Sequence, residues 1–177
     1  MRIKSNVQRL AVSALLLALC LILPFVTGQI PEIGNMLCPM HIPVLLCGFL
    51  CGWQYGAVTG FIAPLLRSFL FASPPLFPQA VSMAFEILTY GAVSGLLSKK
   101  LPDKNICIYF NLIISMLSGR VVWGIVRFII QGLGYTEFSF NLFLAGAFSN
   151  AVPGIIIQLI VVPVVVIALK HSLLWKD

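Results

Sequence analysis

The chain has 177 residues, of which 60% are apolar and only 9% charged, with a mean hydropathy of +1.05. Charged side chains make up roughly 25% of ordinary soluble domains, and a soluble fold of this size could not hide so much apolar surface; lipid as solvent removes the difficulty. The formal charge of +6 does not mark a nucleic-acid binder, because the basic residues form no long tract and no aromatic platform accompanies them. At about 20 residues per span, residues 1–177 have room for a single all-α membrane domain of six transmembrane helices in one bundle.

Taken in chain order, the first apolar run spans about Val7 to Val26. It follows Arg2, Lys4 and Arg9 as a signal peptide would, but it contains Pro24 and lacks a clean small-residue cleavage site, so it reads as a retained helix. The second span, about Leu37 to Gly52, is short and holds Pro39 and Pro43; the third runs from about Gln54 to Phe71 with Pro64 inside. Ser73-Pro-Pro-Leu-Phe-Pro78 cannot continue a helix, since proline lacks the amide donor and clashes with the preceding turn. A fourth span follows at about Gln79 to Leu97 and a fifth at about Ile106 to Gln131, closed by Gly132-Leu-Gly134. The sixth, about Phe140 to Leu169, is long enough to tilt or to break near Pro153 or Pro163.

Lysine and arginine placement orients these spans. Arg2, Lys4 and Arg9 precede the first, Lys99, Lys100 and Lys104 fill the loop between the fourth and fifth, and Lys170 and Lys176 follow the sixth. Six spans put all three clusters on one side, the cytoplasm, with both termini; five would split them. The opposite loops carry Glu32 and Glu137 and no Lys or Arg.

Three basic residues are left over: Arg67, Arg120 and Arg127 lie within spans, as does Glu86. An ionised side chain at membrane depth costs at least about 2.5–3.5 kcal/mol and normally faces the protein interior, paired or lining a polar cavity. Arg120 and Arg127 are seven apart and share one helical face. With His41 and Asn150, these residues concentrate in the outer half of the bundle, whereas the inner half is apolar apart from Asn111 and Gln158. That asymmetry is expected of a binding cavity open to the outside, with Trp123 and Tyr90 as apolar walls. Three arginines against one glutamate leave positive charge that a carboxylate ligand could neutralise. The competing expectation is structural, with Arg67 or Arg120 paired to Glu86 to hold helices together.

Other features carry less. His41 has no second histidine nearby to make a metal site, and His171 lies at the opposite end. The five cysteines, Cys20, Cys38, Cys47, Cys51 and Cys107, read as small packing residues, with Cys38 the one near the outer surface. Cys47 and Cys51 share a helix face but do not form a CxxC motif. On the first helix Ala11, Ala14 and Ala18 include the small-xxx-small pair Ala14/Ala18, which lets another helix approach closely. No phosphate loop, HExxH, GxSxG or paired-carboxylate motif occurs, so an enzyme is not expected and no cofactor is implied for this chain.

The stretch Gly34-Asn-Met-Leu-Cys-Pro-Met-His-Ile-Pro-Val-Leu-Leu-Cys-Gly-Phe-Leu-Cys-Gly-Trp-Gln-Tyr-Gly56, followed by Gly60-Phe-Ile-Ala-Pro-Leu-Leu-Arg67, resembles the substrate-binding S components of energy-coupling factor (ECF) vitamin transporters, as do the small size, six spans and alanine-rich first helix. The resemblance is sharpest over residues 34–71. It implies a vitamin-binding outward cavity built from the loop after helix 1 and the outer ends of helices 4 to 6. It also implies docking, through an alanine-x-x-x-alanine pattern matched by Ala14 and Ala18, onto a transmembrane coupling subunit and two ATPases that use the ATP, in a prokaryotic cell membrane. The arginine surplus favours an anionic vitamin, pantothenate first, with niacin, biotin, lipoate or folate also fitting. A morphogenesis-type membrane scaffold of similar layout is the alternative. It would gain little from buried arginines and would bind no small ligand.

Overall fold

Proline and glycine placement sets most element boundaries. The computed structural model describes residues 3, 5–26, 37–102, 104–135, 139–146 and 151–171, and their regular structure is helical. Helix α1, Asn6–Val26, contains Pro24. Helix α2 is His41–Cys51; Pro43 falls in its first turn, where the amides have no intrahelical acceptor and a missing N–H costs nothing. Gly52, at φ 99°, ends α2 in a conformation that favours glycine. Helix α3, Trp53–Phe71, begins at once and ends on Ala72 in the left-handed region. After the proline segment, a wide turn at Leu76–Ala80 leads into α4, Val81–Lys100. Helix α5 is Asn105–Gly132. Within the stretch expected to form one sixth span, the described residues hold the short α6, Phe140–Leu144, and α7, Val152–His171, which has Pro163 inside it.

Among the described residues, four segments are long and apolar enough to cross a membrane: Asn6–Phe25, Leu76–Lys100, Asn105–Gly132 and Val152–Leu169. The expected second span is shorter than the sequence suggested. Its 11 residues reach about 16 Å at 1.5 Å per residue, half the roughly 30 Å of a bilayer core. The reason is that Pro39 and Met40 lie in a turn before the helix, and Gly52 closes it. Helix α3 has 19 residues but carries Gln54, Tyr55 and Arg67, and it is not among the four.

Helices α2 and α3 form a hairpin about Gly52. Cys47 Sγ lies 3.6 Å from Thr59 Oγ1 across it, and Val44 and Ala63 share a buried cluster. Helix α1 runs against α2: the Ile3 amide donates to the Leu50 carbonyl at 3.1 Å, and the Cys20 thiol to the Met40 carbonyl at 3.5 Å. Helix α4 packs on α2, α3 and α5 and is the central element. A Cβ on Gly91 would overlap the Gly56 carbonyl, and one on Gly60 would come within 2.5 Å of the Ile87 carbonyl, so α3 and α4 are in backbone contact. Between membrane helices apolar burial supplies no driving force, and such close approach provides the packing attraction instead.

These contacts give the bundle two ends. The start of α1, the Gly52 turn, the end of α4 and the start of α5 lie at one, where Gly95 abuts Trp53. Arg9, Lys99, Lys100 and Lys104 belong to this basic end. On its side of the bundle Asn111 Nδ2 donates to the Ser94 carbonyl at 2.9 Å and Ser115 Oγ donates to Asn111 Oδ1 at 3.1 Å, so the inner polar residues of α4 and α5 satisfy one another.

Candidate functional site

Following the buried faces away from the basic end, three helices change character at one level. The main apolar cluster contains Leu45 of α2, Tyr90 of α4 and Met116 of α5. One turn farther along each helix, at the i±4 position that shares the same face, stand His41, Glu86 and Arg120. Their distances show that they form one group. Arg120 Nη1 lies 3.1 Å from Glu86 Oε1, and His41 Nε2 lies 3.5 Å from the same oxygen. Arg120 Nη2 reaches Cys38 Sγ at 3.6 Å, and the His41 and Tyr90 rings meet edge to face at 5.1 Å. Glu86 and His41 are each 2% exposed and Arg120 7%, so the group is sealed from its surroundings.

Local sequence explains how it fits. Gly119 leaves the space against which the Tyr90 ring lies; a Cβ there would overlap ring carbons and approach the Glu86 carbonyl at 2.9 Å. Cys38, at φ 48°, turns the chain into α2 and brings its thiol under Arg120. The group is nonetheless incompletely hydrogen-bonded within the protein. Among the described residues, His41 Nδ1 and Arg120 Nε make no hydrogen bond.

The other residues singled out from sequence lie elsewhere. Arg67 is buried, but it does not join Glu86. Its Nη1 donates to the Leu21 carbonyl, in the turn of α1 that Pro24 disturbs, and its guanidinium lies 5.0 Å from the Phe25 ring and 5.4 Å from that of Phe71. It ties α1 to α3. Arg127 and Trp123 are half-buried farther along α5, with the Arg127 guanidinium 5.8 Å from the indole. Trp123 also stacks on Phe143 of α6 at 6.2 Å. Arg120, Trp123 and Arg127 therefore follow one face of α5 from the sealed group toward the non-basic end. Asn150 lies outside the described residues.

Ala11, Ala14 and Ala18 are exposed on α1 rather than packed inside. Ala14 lines a groove of about 370 Å³ between α1 and α3, together with Leu10, Ser13, Leu17, Tyr55 and Val58. The described residues hold no cluster of three or more His, Cys, Asp or Glu able to bind a metal.

Long apolar helices around a sealed charged group define an integral membrane protein with a polar interior. The chain belongs to the family of ECF transporter substrate-specific components, whose model matches residues 8–166. It is thus a transport subunit, specific for a small-molecule substrate and associated with the subunits of an ECF module. No curated protein and no solved structure matches the chain.

Proposed function

We propose that this chain captures an anionic vitamin, pantothenate before other carboxylates, in a cavity facing outward from a prokaryotic cell membrane. It hands that vitamin to a transmembrane coupling subunit and two ATPase subunits that drive import. In this reading the basic end is cytoplasmic, both termini lie there, and the α2–α3 hairpin, together with the chain leading into α2, supplies two of six passes. The observation that carries the anionic ligand is the face of α5. Arg120, Trp123 and Arg127 recur along it at helical spacing, with Arg120 Nη1 3.1 Å from Glu86 and the Arg127 guanidinium 5.8 Å from the indole. An arginine fork binds a carboxylate through two parallel hydrogen bonds, and an indole beside it supplies an apolar wall. Exposure of Ala14 beside an apolar groove supports docking of the partner on the α1 side.

The test is titration of the purified chain with pantothenate. Arg127→Ala weakens binding at least about tenfold, or roughly 1.4 kcal/mol. Arg120→Ala does the same when made with Glu86→Gln, which avoids leaving a bare buried carboxylate. Unchanged affinity in both variants makes the arginines structural and removes the anionic reading.

A further inference from the structure

By helical register, a buried residue of α7 falls near the level of His41, Glu86 and Arg120. On α7 the buried stripe runs through Gly154, Gln158, Val162 and Val166, and Val162 and Val166 belong to the same apolar cluster as Leu45, Tyr90 and Met116. Gln158 stands one turn beyond Val162 on that face, just as His41, Glu86 and Arg120 stand one turn beyond their cluster members. Counted at 1.5 Å per residue, Glu86, Arg120 and Gln158 each lie about 20 Å along their helices from Lys100, Asn105 and His171. Helix α7 packs on α2 and α5, which carry His41 and Arg120. Gln158 is 1% exposed, and neither its amide nitrogen nor its oxygen has a hydrogen-bond partner among the described residues. A buried carboxamide without partners is rare and destabilising, and native proteins keep such a group for a reason. The other buried amide, Asn111, nearer the basic end, is by contrast bonded through both ends.

We infer that Gln158 is a specificity-determining residue whose carboxamide hydrogen-bonds an amide- or urea-type edge of the substrate. The inference rests on the carboxylate-binding reading above and deepens it. A carboxamide offers a donor and an acceptor side by side, and the complementary partner presents an acceptor and a donor likewise. A ligand held by its carboxylate at the arginines therefore carries an amide or urea group that reaches the level of Gln158. A site built around such a polar group rejects analogues lacking its partner far more strongly than an apolar pocket rejects a missing methylene, because the buried group is left unpaired. Carboxylates without an amide, such as lipoate and nicotinate, are excluded on this ground.

The full chain in detergent and its Gln158→Leu variant are titrated with pantothenate, biotin, lipoate and nicotinate, and their thermal unfolding is measured without ligand. The expected result is wild-type binding confined to pantothenate or biotin, weakened at least tenfold by Gln158→Leu, in a variant whose unliganded melting temperature is equal or higher. The melting temperature separates lost recognition from lost folding. If the variant unfolds, Gln158→Met replaces it under the same expectation. Binding of lipoate or nicotinate as tight as that of the amide-bearing compounds, or variant affinity within twofold of wild type, overturns the role of Gln158 and leaves the carboxylate reading intact. A wild-type chain that binds none of the four overturns both.

Discussion

Glu86 is the residue on which the interior depends. Its carboxylate faces Arg120 at 3.1 Å and His41 at 3.5 Å, in a buried site. Breaking a buried pair by removing one partner leaves an uncompensated charge and costs about 3–5 kcal/mol, whereas replacing both by apolar groups of similar volume is often neutral or stabilising. Glu86→Ala is accordingly expected to destabilise the unliganded protein by about that amount in thermal unfolding. The double variant Glu86→Leu, Arg120→Met is expected to recover most of it. A double variant no more stable than Glu86→Ala alone would show that the pair contributes more than its own neutralisation. Arg67 behaves differently, because its partners are a carbonyl and two rings rather than a carboxylate. In sequence the three membrane arginines look alike. What separates them is Leu21, Phe25 and Phe71 on one side and Glu86 on the other, all distant along the chain from the arginines they serve except Phe71. Gln158 was visible only as an uncharged exception in an apolar run, since residue counting cannot show which face of α7 is buried.

At the scale of elements, the boundaries followed proline and glycine. The Ser73–Pro78 break, α4 and α5 lie within a few residues of where composition put them, because each is flanked by residues that cannot continue a helix. The second span was overestimated because apolar residues on either side of a helix look like part of it; Leu37, Cys38 and Met40 are apolar but precede His41. The first helix presents a face with a consequence. Ala11, Ala14 and Ala18 are exposed and Ala14 borders the α1–α3 groove, so large side chains there meet whatever lies outside the bundle. Replacing Ala14 and Ala18 by tryptophan is expected to abolish substrate uptake in cells yet leave the affinity of the purified chain within about twofold. Loss of binding in the purified variant would place the alanines in internal packing. Unimpaired uptake would remove the docking role.

For the whole molecule, one asymmetry organises everything else. Lys99, Lys100 and Lys104 collect at the end where α1 starts and the α2–α3 hairpin turns, and the sealed charged group lies some 20 Å from it. Composition made that division legible, because every charge in an apolar chain stands out. The resemblance over residues 34–71 pointed to the family that the match over residues 8–166 established. What sequence does not place are buried polar atoms without a hydrogen bond among the described residues, His41 Nδ1 and both ends of the Gln158 carboxamide, on which the proposed binding site rests. The most direct measurement is therefore mass spectrometry of the chain purified from a membrane without added vitamin, combined with thermal unfolding across a vitamin panel. The expected result is a copurified carboxylate-bearing vitamin in near-stoichiometric amount that also raises the melting temperature of the emptied protein. A chain that carries no small molecule and is stabilised by no member of the panel would contradict the assignment of this interior to substrate binding.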